Sequence, residues 1–284
     1  MYNASKDELA FNVKHSSVES WKNSLELKDW TKRGVLRAIA SHYDPLGLAS
    51  PITIRPRRLL QNIWTTNVGW DEPLPKEIQQ TWEEALSQLL NLGSLSFPRW
   101  IGATKKGSLQ MHIFCDASEG TYACAIYLRS VNHGVVTVGL LSAKARVTPI
   151  KAQSVSRSEL DACVLGMRMA RHLKAIYRLE KNSVFFYTDS CNALFWISST
   201  PKRLKVFVQN RVAEIQRSTE KLQWGHIDTD DNPADVPTRD ITIEELRNKE
   251  IWSSGQSFLR DPHYVFKGLS LRMSVWRSLR PRSS

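Results

Sequence analysis

The spacing of hydrophobic residues predicts a helical region in the first third of this chain. Residues 1–30 are polar and only weakly patterned, whereas apolar positions from Thr31 to about Leu92 recur with the period of amphipathic helices. Three helices are predicted: one from Thr31 to the turn at Asp44, one after Pro56, and one through residues 71–92. The third has an apolar face formed by Ile78, Trp82, Ala85, Leu86 and Leu89.

Beyond the stretch 93–107 the pattern changes to that of strands alternating with helices. Three β-rich runs, LQMHIFCDAS, YACAIYLRS and GVVTVGLLSAK, precede a long amphipathic helix in SRSELDACVLGMRMARHLKAI. A strand (SVFFYTD), two helices, a strand (KLQWGHI) and a last helix from NPADVPTR follow. The order β-β-β-α-β-α-α-β-α predicts an α/β fold: a mixed five-stranded sheet with helices on both faces, preceded by the small helical region.

Composition and charge narrow the functional class. The contents of hydrophobic (42%) and charged (24%) residues are those of a globular protein. The net charge of +11 favours a polyanionic partner, nucleic acid first, over the alternative that the charge only maintains solubility. The only charged side chains after Asp261 are basic, which predicts a basic, loosely ordered end of the chain beyond that residue.

The cysteines and the hydropathy pattern predict an intracellular protein. Cys115, Cys124, Cys163 and Cys191 form no CxxC pair and lie in apolar or helical patterns, so we expect buried free thiols. No apolar run is long enough to span a membrane, and residues 1–25 lack a signal-peptide core. The expected location is therefore the cytoplasm or nucleus, with no membrane partner and no secretion.

Four acidic residues occupy positions suited to a metal site. Asp116 and Asp189 end β-rich runs, Glu159 lies near the start of the long helix, and Asp235 follows a turn. Carboxylates at the ends of neighbouring strands and on a facing helix can converge on one point. Such a cluster is tolerable when cations neutralise it, and two Mg²⁺ ions about 4 Å apart can drive in-line displacement at phosphorus.

Each acid also has a purely structural explanation. Asp116 can be a turn residue, and either Asp189 or its neighbour Ser190 can cap the following helix. Glu159 can close a capping box in the string SRSE, and Asp235 can complement a helix dipole. The order of the four along the predicted fold favours one shared metal site over four separate structural roles.

Taken together, several ordered strings resemble the BEL/Pao class of retrotransposon polyproteins. The resemblance covers the chain from about Trp30 to about Leu259 and rests on the following strings: TKRGVLRAIASHYDPLGLASPITIRPRRLLQ, WDEPLPKEIQQTW, SFPRW, IFCDAS, LLSAKARVTPIK, SRSELDA, FYTDS, FVQNRVAEI and DNPADVPTR. It implies a polar stub from the end of a reverse transcriptase palm (1–30), a thumb- or connection-like region (31–107), a ribonuclease H-like domain (108–248) and the basic tail (249–284).

The resemblance also implies an activity: endonucleolytic hydrolysis of the RNA strand of RNA–DNA hybrids. The catalytic, metal-binding acids then fall on Asp116, Glu159, Asp189 and Asp235. Asp116 would bridge two Mg²⁺ ions, for which Mn²⁺ can substitute; Glu159 and Asp189 would complete one ion's site and Asp235 the other's. The implied partners are the hybrid and the reverse transcriptase or integrase parts of the same element.

The sequence departs from the family pattern at positions that are not ligands. Ser156-Arg157-Ser158 precedes Glu159 where Pro-Arg-Leu is usual, and Thr238-Arg239-Asp240 stands where Ser-Arg-Gly is common. A mobile histidine of some ribonucleases H would fall within 228–231, where this chain has none, so product release or proton transfer is expected to depend on solvent. On the predicted strand KLQWGHI, His226 is expected to be structural or at the surface.

Two other functions remain open at this stage. A DDE-type integrase or transposase shares the fold, but its pattern places the glutamate last, whereas Glu159 comes second here. A non-catalytic nucleic-acid-binding remnant of a truncated or domesticated element would also have a positive net charge. Polymerase and pepsin-like activities have no support, because the sequence contains neither Tyr-x-Asp-Asp nor Asp-Thr/Ser-Gly.

Overall fold

The computed structural model describes residues 2–11, 21, 30–102, 107–150 and 153–269. Its strands are β1 (Tyr2–Asn3), β2 (Glu8–Ala10), β3 (Ser96–Pro98), β4 (Ser108–Ala117), β5 (Thr121–Asn132), β6 (Val135–Val147), β7 (Val184–Thr188) and β8 (Trp224–His226). Its α-helices are α1 (Lys32–Ala40), α2 (Ser50–Trp64), α3 (Lys76–Leu90), α4 (Val155–Tyr177), α5 (Cys191–Ser198), α6 (Val206–Ser218), α7 (Ile243–Asn248) and α8 (Glu250–Ser254).

A mixed five-stranded sheet in the order β6-β5-β4-β7-β8 forms the centre of the fold. Strands β4, β5 and β6 pair antiparallel, whereas β7 is parallel to β4 and β8 is parallel to β7. Helices cover both faces, as the α/β order predicts. The final helix of that prediction is a 3-10 turn, Pro233–Thr238, because two prolines in six residues remove the N–H donors that an α-helix needs.

Alternation along β4 separates two hydrophobic cores. Ile113 and Cys115 face α4 and pack with residues such as Leu160. The close approach of α4 depends on Gly166, where a Cβ atom would lie 2.6 Å from the Cys115 sulfur. On the opposite face, Phe114 belongs to a core that continues into helices α1–α3.

The helical region and the sheet therefore share one core. Trp82 of α3 is fully buried in the cluster that contains Phe114 and Tyr127 of the sheet. Backbone contacts join the two parts as well: Ala143 N donates to Leu46 O at 2.8 Å. Gly47 permits this approach with φ +74°, since a Cβ atom there would lie 1.8 Å from the Ala143 carbonyl oxygen. Helices α1–α3 are therefore packed onto the sheet through this cluster.

Two sequence predictions about local structure are wrong. Helix α2 begins at Ser50, not after Pro56, because Pro51 occupies its first turn and Pro56 is accommodated inside it. The loosely ordered end predicted after Asp261 is also wrong, for residues 262–269. The Phe266 ring packs against that of Phe185, with 4.6 Å between the ring centroids, and this contact fixes the segment. Residues 270–284 lie outside the described ranges.

The structure also bears on the predictions for the N-terminal residues, the cysteines and membrane-spanning helices. The first ten residues contribute β1 and β2, which pair with β3 in a small antiparallel sheet; most of residues 12–29 lie outside the described ranges. The cysteines are free; Cys115, Cys124 and Cys163 are buried as expected, whereas Cys191 is half-buried. Within the described ranges, no helix is long and apolar enough to cross a membrane.

Candidate active site

Asp116 and Asp189 lie beside each other at the ends of adjacent parallel strands. Cys115 of β4 is paired with Thr188 of β7, so the two aspartates are the next residues on both strands. Asp116 lies on the face opposite Cys115, as predicted from the strand alternation, and only 5% of it is exposed. The register of the sheet therefore sets the two aspartates side by side.

The 3-10 turn Pro233–Thr238 brings Asp235 to the same end of the sheet. Asn232 caps this turn by accepting from Ala234 N at 3.1 Å, and its Nδ2 donates to Cys115 O at 3.1 Å. The turn is thereby fastened to β4 one residue before Asp116. Asp235 Oδ1 accepts from the Arg239 Nε at 2.8 Å.

Glu159 reaches the cluster from the other face of the sheet. Helix α4 has its N-cap at Ser154, which places Glu159 in the second turn rather than in a capping box with Ser156. Its Oε2 accepts from the Ser190 hydroxyl at 2.5 Å. Ser190, rather than Asp189, caps α5 by accepting from Ala193 N at 3.1 Å. Neither Glu159 nor Asp189 has the capping role that the local sequence allowed.

Burial and repulsion by neighbouring acids raise the pKa values of two of these residues, Asp116 and Glu159. Burial raises the pKa of Asp116 from 3.8 to about 7; the hydrogen bond from Thr238 opposes this, and the charges of Asp189 and Asp235 add to it. Burial also raises the pKa of Glu159. The hydrogen bond from Ser190 lowers this pKa, and the charge of Asp189 raises it further. The four acids are thus electrostatically linked, which is an environment that a cation would stabilise.

The donor atoms fit a hard divalent cation in chemical type. Asp189 Oδ2 accepts from the Thr229 hydroxyl at 2.7 Å, whereas its Oδ1 is buried without a hydrogen-bond partner. Carboxylate oxygens are preferred ligands of Mg²⁺. No three His, Cys, Asp or Glu side chains of the described ranges already form a group that could hold a metal ion.

Sequence reasoning did not assign roles to the residues that hold these carboxylates. Thr238 donates to Asp116 Oδ2 at 2.6 Å, and Arg239 pairs with Asp235. In the sequence, Thr238 stands out only as a departure from Ser-Arg-Gly, and Arg239 matches that pattern; their spacing of three and four residues after Asp235 is the available signal. His226 ends β8, and its Nε2 lies 3.2 Å from the carbonyl oxygen of Asp189, consistent with a structural role.

Comparison with protein families identifies the chain. The family model for the Pao retrotransposon-like RNaseH-like domain matches residues 31–190. The chain belongs to this Pao family. The matched range includes helices α1–α3 together with β4–β7, and it contains Asp116, Glu159 and Asp189, whereas Asp235 lies beyond it. No curated protein matches.

Solved structures provide distant likenesses to this Pao-family chain. The N-terminal RNase H domain of Rv2228c from Mycobacterium tuberculosis is 15% identical, with coverage of 44% of this chain and 86% of that one (TM-score 0.30). LC11-RNase H1 in complex with an RNA/DNA hybrid is 13% identical over 44% and 88% (TM-score 0.30). The foamy viral protease-reverse transcriptase in complex with dsDNA is 17% identical over 78% and 41% (TM-score 0.24). Such likenesses carry no argument about function.

Proposed function

We propose that this protein hydrolyses the RNA strand of RNA–DNA hybrids at a site formed by Asp116, Glu159, Asp189 and Asp235. One observation carries the proposal: Asp116 and Asp189 follow paired residues of two parallel strands, with Asp235 close enough to raise the pKa of Asp116. Membership of the Pao RNaseH-like family supports the reaction class. The glutamate in second place supports a ribonuclease over a DDE-type integrase.

The four carboxylates would hold two Mg²⁺ ions, or Mn²⁺ in their place. Asp116 would be shared, Glu159 and Asp189 would complete one site, and Asp235 the other. When bound, the ions activate a water nucleophile and stabilise charge on phosphorus and on the leaving 3′ oxygen. The protein itself supplies orientation: Asn232 and the strand register fix the spacing of the aspartates, and Thr238 holds Asp116.

Substrate binding would depend on shape and charge. The net charge of +11 supports salt-sensitive contacts with phosphates, which supply affinity without sequence preference. Selectivity for a hybrid would come from groove width and from contacts with 2′-hydroxyl groups. Reverse transcriptase or integrase parts of the same element are the partners proposed for this activity.

The test separates cleavage from binding in Asp116→Asn and Asp189→Asn. Both variants should lose Mg²⁺-dependent cleavage of a labelled hybrid while binding it normally in gel-shift titrations. Asp230→Asn is the matched control, because Asp230 is an exposed acid in the neighbouring loop. Retained Mg²⁺-dependent cleavage in both site variants would refute the assignment. Wild-type binding without any cleavage would instead favour the non-catalytic remnant.

A further inference from the structure

Helix α2 crosses the sheet beside the loop that follows Asp116. Ile54 is buried against Ala123 of β5 and Ala145 of β6. Two turns further on, Gln61 Nε2 donates to Thr148 O at 2.7 Å. Thr148 in turn holds the loop: its N–H donates to Gly120 O at 3.1 Å. The helix is therefore linked through Thr148 to the loop 118–120.

The same helix also contacts the segment after Asp235. Arg58 of α2 forms an ion pair with Asp240, 182 residues further along the chain, through its Nη2 and the Asp240 Oδ2. Gly120 leaves room for the arginine stem, since a Cβ atom on Gly120 would lie 2.8 Å from the Arg58 Cδ. Arg58 thus lies between the loop after Asp116 and the segment after Asp235.

The position of Asp240 makes this contact relevant to the carboxylates. Thr238, which donates to Asp116, and Arg239, which pairs with Asp235, immediately precede it. Three consecutive residues therefore make three different contacts: the first with Asp116 of β4, the second with Asp235 of the 3-10 turn, and the third with helix α2. Holding Asp240 restricts where the Thr238 hydroxyl and the Arg239 guanidinium can lie.

We propose that Arg58 is a positioning residue of the active site, acting through Asp240 on the segment that holds Asp116 and Asp235. This inference rests on the proposed function. The side chains of the pair are 29% and 47% exposed, and exposed pairs contribute little to global stability. Loss of the ion pair should therefore affect the active site rather than overall stability. In this proposal the helical region helps to order the active site.

Four variants test the proposal: Arg58→Gln, Arg58→Lys, Asp240→Asn and, as control, Arg33→Gln. Arg33 also forms an ion pair, but with Asp71 of the same helical region and not with the segment after Asp235. Arg58→Gln and Asp240→Asn should lower kcat on a hybrid on the order of tenfold with KM nearly unchanged, because misplacement of reacting groups affects the chemical step. Arg58→Lys should recover most of the loss, and Arg33→Gln should behave as wild type.

Two readouts do not require activity. Hydrogen exchange of residues 233–240 should accelerate about fivefold in Arg58→Gln, the factor equivalent to about 1 kcal/mol, without acceleration in β4 or β5. Mn²⁺ binding, measured by calorimetry, should weaken in parallel. If the wild-type protein cleaves the hybrid, and Arg58→Gln has the same kcat and the same hydrogen exchange in residues 233–240, the positioning role is refuted.

A wild-type protein that cleaves no hybrid would refute the proposed function instead. Exchange and Mn²⁺ binding would still decide the positioning role: unchanged values in Arg58→Gln would overturn it, and faster exchange confined to residues 233–240 would support it. Accelerated exchange throughout the sheet would indicate loss of the fold and count against a local role.

Discussion

Replacing Asp116 by Asn should stabilise the metal-free protein above neutral pH. In the folded protein Asp116 retains its proton up to a pKa of about 7, whereas in the unfolded chain it ionises at its ordinary value of 3.8. The unfolded state therefore binds fewer protons between these values, and the free energy of unfolding falls as pH rises from about 4 to 7. The contribution is constant above pH 7.

The size of this effect follows from the two pKa values. The interval from 3.8 to about 7, at about 1.4 kcal/mol per pH unit, corresponds to about 4 kcal/mol as an upper value. Asn is nearly isosteric, and its carbonyl oxygen can still accept from Thr238. We therefore expect Asp116→Asn to be about 2–4 kcal/mol more stable than wild type at pH 8 and equal to it near pH 4.

Urea unfolding in the presence of a chelator, at intervals from pH 4 to 8.5, measures this difference. The gap between variant and wild type should open as pH rises and become constant above about pH 7. Asp71→Asn is the control, because Asp71 is exposed and its pKa is lowered by Arg33, so it should show no comparable gain. A gap that does not change with pH, or a destabilised variant at pH 8, would refute the electrostatic reasoning.

Three further substitutions test other parts of the structure. Thr238→Val removes the hydrogen bond that lowers the pKa of Asp116, so the pH profile of cleavage should shift to more alkaline pH; an unchanged profile would contradict this. Trp82→Ala should cost about 3–5 kcal/mol in urea unfolding, in one transition, since Trp82 is fully buried in the shared core; separate transitions would argue against that core. Arg129 donates to the carbonyl of Leu259 at 2.7 Å, so Arg129→Met should accelerate hydrogen exchange in residues 257–260, and unchanged exchange would disprove its anchoring role.

The strands and helices could be predicted because their patterns are local. Alternation in IFCDAS placed Cys115 and Asp116 on opposite faces, and the structure agrees. The register that sets Asp116 beside Asp189 could not be predicted, because it depends on parallel pairing between segments separated by a long helix. The convergence of all four acids on one metal site stays a prediction from their order, and the sheet register accounts for Asp116 and Asp189 alone.

Errors arose where tertiary packing outweighed local signals. Pro56 predicts a helix start, yet α2 includes it because Ile52 and Ile54 of the preceding turn are buried against the rest of the protein. The basic side chains after Asp261 favour a loosely ordered end, yet Phe266 packs against Phe185 with 4.6 Å between the ring centroids. In both places contacts distant in sequence decided the structure.

Product analysis of a hybrid whose RNA and DNA strands carry different labels tests the central claim most directly. With Mg²⁺, and with Mn²⁺ in a parallel reaction, wild type should cut only the RNA strand internally and leave 3′-hydroxyl ends. A chelator, or Asp116→Asn, should abolish the cut. Cleavage of the DNA strand, or RNA cleavage that persists in the chelator, would contradict a metal-dependent ribonuclease H site formed by these four acids.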